Sequence, residues 1–157
     1  LLSKIVAKAH AAGLRVSTHV NNADDFHLAL TAGVDEIAHL PLSGLTPIAD
    51  ADARLAARRG VPVITTCAIV PALPSIAKND LPQVLKMQLE NLKLLRDRGV
   101  RLAIGSDSVN DTSVREAASD EGRRFGQAPI SSHTSRSNPT ATTAYVRRRN
   151  CRLNMLR

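Results

Sequence analysis

At 157 residues the chain can hold one domain with a real core, and its apolar content is almost all Ala, Leu, Val and Ile, with two Phe, one Tyr and no Trp. That supply gives little encouragement to aromatic base-stacking platforms, and no run approaches the roughly 20 apolar residues that cross a bilayer. The formal charge of +7 is uneven: residues 1–117 carry thirteen Lys and Arg against twelve Asp and Glu, whereas the last forty carry eight Arg against Asp120 and Glu121.

In chain order, LLSKIVAKAHAAG places Leu2, Ile5, Val6 and Ala9 on one helix face and stops at Gly13. LRVSTHV reads as a short strand. NNADDFHLALTAG reads as a second helix with an Asn or Asp cap and Gly33 as its stop. VDEIAHL is the second strand. A loop leads to a third helix, IADADARLAARRG, and to a third strand, VPVITTCAI, with Pro62 near its start where a missing donor is tolerated. After Pro71, Pro74 and Pro82 comes the longest helix, LPQVLKMQLENLKLLRDRG, which feeds the fourth strand, VRLAIGSD. Cys67 and Cys151 lie far apart, which suits a reducing compartment, and Cys67 is expected as a small buried hydrophobe. With no signal-peptide order at the amino end, the expected location is the cytoplasm, away from membranes.

Four times a helix ending in Gly precedes a short apolar strand, so parallel strands with right-handed crossovers are expected. Neither phosphate-binding glycine pattern, G-x-G-x-x-G or G-x-x-x-x-G-K-[ST], is present, which disfavours an open doubly wound sheet and favours part of a (β/α)8 TIM barrel. Such barrels keep their chemistry at the C-terminal ends of the strands. Those ends here are His19, His39, the pair Thr65 and Thr66, and Asp107. Alternation along a strand puts Ser17 with His19 on one face, Ile37 with His39, and Ala103 with Gly105 and Asp107. Two imidazoles and a carboxylate meeting at a barrel mouth suit a zinc-like divalent ion and an activated water. Thr65 and Thr66 read as ordinary β-branched strand formers, His10 as a surface residue at a helix end, and His27 as a surface or helix-packing residue.

The stretch RVSTHVNNADDFHLALTAGVDEIAHLPL, with GVPVITT and NLKLLRDRGVRLAIGSDS, resembles the C-terminal half of a metal-dependent amidohydrolase barrel of the imidazolonepropionase-like type, over about residues 1–117. The resemblance implies that His19 is a metal ligand from the fifth barrel strand. His39, from the sixth, is a second ligand or a substrate and acid/base contact. Asp107, from the eighth, touches the metal and handles the proton of the attacking water. It implies hydrolysis of an amide, cyclic amide, amidine or related C–N bond in a small-molecule substrate, with zinc the expected ion. The family's first-strand H-x-H and its fourth-strand Lys or Glu are not among these 157 residues. A chain holding four of eight strands is therefore expected to bind zinc weakly, to be inactive alone, and to associate with itself through open barrel edges. In a flat sheet its first and fourth strand ends would stand about 14 Å apart.

Beyond SVREAA, which could begin an eighth helix, residues 118–157 lose helix and strand rhythm and carry a net +6. Low order is expected there, since so few large apolar residues cannot offset the entropy of ordering. The abrupt shift to Arg, Ser, Thr and Pro is of the kind a changed reading frame produces. A basic arm for nucleic acid, centred on YVRRRNCRLNMLR, is the less favoured reading.

Overall fold

The structure is a computed structural model that describes residues 1–107 and, as backbone alone, the strand Tyr145–Arg147. Four helices form where apolar side chains recur at three- and four-residue intervals: α1 (Leu2–Ala11), α2 (Ala23–Ala32), α3 (Asp50–Arg59) and α4 (Leu81–Asp97). In α2 the spacing buries Phe26, Ala29 and Leu30. Its first turn is closed by Asn22, whose side chain accepts from the Asp25 amide at 2.8 Å, while the Asp25 carboxylate accepts from the Asn21 amide at 3.0 Å. It ends at Gly33, whose φ of 87° lies in the left-handed region that glycine enters without a Cβ clash.

The four helices alternate with β1 (Arg15–His19), β2 (Glu36–Ala38), β3 (Val63–Thr65) and β4 (Leu102–Ile104), while β5 (Tyr145–Arg147) comes last. Strands β1 to β4 are parallel and lie side by side in chain order, which is the arrangement of one arc of a (β/α)8 barrel. β5 adds to the far edge of β1 in the antiparallel sense, with Ser17 opposite Tyr145. No strand was expected in the basic tail, and the remaining expectations for it, its low order and the eighth helix, lie outside the described residues.

The helix-facing side of the sheet is the core. Val16, Ile37 and Val63 are fully buried there with Phe26, Leu30 and Leu95. The register sets Thr18 beside Ile37, Ile37 beside Val63 and Val63 beside Leu102. Residues between these, including His19, Ala38, Ile64 and Ala103, belong to the opposite face, which becomes the interior of a closed barrel. At the strand bottoms, Asp35 ties three elements together. Its carboxylate accepts from the Val16 amide at 2.7 Å and meets His10 Nε2 at 2.8 Å, and its own amide donates to the Val16 carbonyl at 2.9 Å.

Three features differ from the expectation drawn from alternation and propensity, the first being that the fourth strand ends at Ile104, short of Asp107, whose φ of 49° breaks the alternation expected to place it with Ala103 and Gly105. The third strand stops at Thr65 and does not run on to Ile69. Thr66 leaves the extended region at φ −136°, ψ 36°, and Cys67–Ala72 winds into a 3-10 turn that leaves Cys67 half-buried against the core. Ile37 and His39 do not share a face, because Ile37 is wholly within the helix-facing core and β2 ends at Ala38. His39 has a φ of 74°, so the left-handed turn at the strand end swings its side chain across to the interior face.

Gly105 follows β4 and donates to the Thr65 carbonyl at 2.7 Å. A Cβ there would lie 3.0 Å from the Ile64 methyl Cγ2 and 3.4 Å from both the Thr65 carbonyl and Thr66 Cγ2. A side chain there would make Ile64 and Thr66 give way by a few tenths of an ångström.

Urea unfolding should therefore show Phe26→Ala losing about 3–5 kcal/mol, since it empties the largest buried side chain of the core, and Asn22→Ala losing about 1 kcal/mol with its cap. Equal losses in the two variants would contradict this division. Gly105→Ala should cost about 1–3 kcal/mol by overpacking, and hydrogen exchange should report the damage at β3 and β4. An unchanged midpoint for Gly105→Ala would remove the close-approach argument.

Candidate metal centre

His19 is the last residue of β1 and its side chain is exposed at the strand mouth. Across the sheet it stands opposite Ala38, one residue before His39. The left-handed turn at His39 is secured by its own amide, which donates to the Ile64 carbonyl of β3 at 2.9 Å. The two imidazoles stack with centroids 4.4 Å apart and an interplanar angle of 27°. His19 Nδ1 and His39 Nε2 are in direct contact.

The His39 ring is largely enclosed, with 12% of its side chain exposed. Burial pulls its pKa below the ordinary imidazole value, the neighbouring Asp107 carboxylate opposes that change, and His19 adds to it. The neutral ring that results is the form that binds cations. On its other side, His39 Nδ1 lies 2.7 Å from the hydroxyl of Thr66. Asp107 Oδ2 is 3.9 Å from the same Nδ1, beyond hydrogen-bond reach.

Asp107 reaches this position from β4, two strands away from β2, through a second left-handed turn with φ 49°. The carboxylate thus stands against the nitrogen of His39 that faces away from His19. All three strand-end residues singled out in the sequence occupy one mouth, but only the two histidines bring ring nitrogens into contact. Among the described residues no group of three or more His, Cys, Asp and Glu is gathered as a metal site. The donors fit a zinc-like ion as two nitrogen ligands, against the three protein ligands usual in catalytic zinc sites.

The loops around the mouth are tied to one another. The Asn21 carbonyl, just past β1, accepts from the amides of Leu42 and Ser43 at 2.8 and 2.9 Å and from the Ser43 hydroxyl at 3.1 Å. Asn91, fully buried on α4, accepts from the Ile48 amide at 2.8 Å and so holds the end of the same loop. His10 and His27 lie elsewhere, each beside a carboxylate at 2.8 Å, Asp35 and Asp52 respectively, where they join neighbouring elements. Thr66 is the residue that propensity undervalued. Its position at a strand end, level with His19, His39 and Asp107, was the available signal.

The sequence model of the amidohydrolase family matches residues 1–145. Among solved structures, an amidohydrolase is 25% identical with a TM-score of 0.59, covering 80% of this chain and 31% of its own. A prolidase complexed with N-methylphosphonate-L-proline is 22% identical with a TM-score of 0.54, covering 80% of this chain and 30% of its own. Ochratoxinase from A. niger is 19% identical with a TM-score of 0.54, covering 66% of this chain and 24% of its own. The chain thus spans less than a third of the length of these structures. No curated protein matches it. Among the described residues no helix is long and apolar enough to cross a membrane. The family match over residues 1–145, together with parallel strands laid down in chain order, establishes that this chain belongs to the amidohydrolase family and forms part of its TIM barrel.

Proposed function

We propose that the chain carries the C-terminal ligand set of a metal-dependent hydrolase that cleaves amide, cyclic amide or amidine C–N bonds in a small molecule. The observation that carries this reading is the meeting of His19 Nδ1 and His39 Nε2 at the strand mouth, which brings two imidazole nitrogens from neighbouring strands together. His19 and His39 would hold the ion, zinc being the best match to a nitrogen donor set. When bound, it supplies Lewis acidity to the reaction.

Asp107 is the proton-handling group in this reading. Its side chain is 44% exposed, so the carboxylate is open to water and to substrate, and it is fixed beside the His39 ring. A carboxylate so placed takes a proton from the attacking water and returns it to the departing nitrogen. His39, enclosed between Thr66 and His19, is the more rigid of the two imidazoles, whereas His19 lies open to solvent. The first-strand H-x-H pair is not among the 157 residues, and two nitrogens alone make a weak site. Nucleic acid is not proposed as a partner.

A second reading rests on β4, whose outer edge has no strand partner in the described sheet. Such an edge pairs readily with another copy. Self-association without catalysis then describes the isolated chain, and light scattering would report a dimer unaltered by His19→Ala.

Zinc titration against a chromophoric chelator should show weak binding by the chain, lost in both His19→Ala and His39→Ala. Amide hydrolysis should be absent until a complementary barrel half bearing H-x-H is supplied. Zinc binding that survives both substitutions, or turnover by the chain alone, would contradict the proposal.

A further inference from the structure

We propose that Thr66 is the positioning residue that selects the tautomer of His39, holding the proton on Nδ1 and leaving the Nε2 lone pair turned toward His19. The inference rests on the reading of His19 and His39 as cation ligands and assigns a role to a residue outside that pair. It starts from one distance: the Thr66 hydroxyl is 2.7 Å from His39 Nδ1, within hydrogen-bond reach, whereas the Asp107 carboxylate oxygen at 3.9 Å is not.

A hydroxyl can donate or accept, so the contact alone leaves two arrangements. If Thr66 donates, the His39 proton sits on Nε2, between the two rings, and the site cannot offer both nitrogens to a cation. If Thr66 accepts from Nδ1–H, Nε2 is bare. The negative charge of Asp107 on the same side of the ring favours the second arrangement, because it stabilises the N–H dipole pointing toward it. A hydrogen bond to the remote nitrogen of a ligating imidazole is the usual means of fixing both tautomer and ring orientation.

Thr66 is itself held firmly. It is 8% exposed and begins the 3-10 turn, where its carbonyl accepts from the Ile69 amide at 3.2 Å. A Cβ on Gly105 would stand 3.4 Å from its methyl group, so β4 backs the side chain closely. The positive φ of His39 brings the ring to the hydroxyl from the other side. The β-branched side chain is thus fixed by packing on the methyl while its hydroxyl is spent on the ring.

The test is long-range 1H–15N correlation of the imidazole nitrogens in the metal-free chain, on the alkaline side of the imidazole titration, with zinc affinity measured alongside. Wild type should show His39 protonated at Nδ1. Thr66→Val, nearly isosteric and without the hydroxyl, should give a mixed or Nε2–H ring and a zinc affinity lower by about 10- to 100-fold, and Thr66→Ser should restore both. An Nε2–H ring in wild type, or a Thr66→Val ring unchanged from wild type, overturns the positioning role whatever the zinc affinity. An Nδ1–H ring that is lost in Thr66→Val, in a chain that takes up no zinc, supports the positioning role and contradicts the metal reading instead. Should Thr66→Val fail to fold, the wild-type tautomer decides, with Nδ1–H in favour and Nε2–H against.

Discussion

Everything at the strand mouth depends on a left-handed backbone turn at one histidine. β2 is committed by its register to point Ile37 into the helix-facing core, and strict alternation would send His39 the same way, among aliphatic side chains. The φ of 74° at His39 breaks that alternation at the last moment and delivers the ring to the opposite face, against His19. For a residue with a Cβ this conformation costs about 1–2 kcal/mol. The hydrogen bond from the His39 amide to Ile64 and the contact with Thr66 offset it. Strain of this sort collects where a side chain has to be aimed rather than packed.

The rest of the sheet is arranged to make that aim effective. Asp107 leaves β4 by the same device, with φ 49°, and so crosses toward His39 over the end of β3. Gly105, just past β4, lies close against Ile64 and Thr66, which a Cβ would force to give way. The helices hold the far face through Phe26, Leu30 and Leu95, and the Asp35 cluster fixes the strand bottoms. A rigid base with aimed, partly exposed groups at the strand ends is the division of labour expected of a TIM barrel.

Much of this was legible in the sequence. Helices ending at Gly13, Gly33, Gly60 and Gly99 mark the turns into strands, and each of these glycines has positive φ. The parallel order followed from strands linked by helices, and His19, His39 and Asp107 stood out as polar groups closing apolar runs. What alternation could not supply was the direction of His39, because periodicity assumes extended φ up to the last residue and the site begins where that assumption ends. Thr66 was obscured for a related reason: β-branching made it look like a strand residue, whereas its backbone has already left the strand and its hydroxyl serves the neighbouring ring. β5 follows Thr142 and Thr143 and contains Tyr145 and Val146, strand-forming residues in a run too short and too basic to stand out, and its pairing with β1 is a tertiary event.

Whether His19 and His39 give their ring nitrogens to one shared cation is read by zinc X-ray absorption on the loaded chain. Two imidazole scatterers at about 2.0–2.1 Å are expected for the unsubstituted chain, and no zinc–imidazole shell in His19→Ala or in His39→Ala. A first shell without imidazole in the unsubstituted chain, or one left unchanged by either substitution, would contradict the shared site.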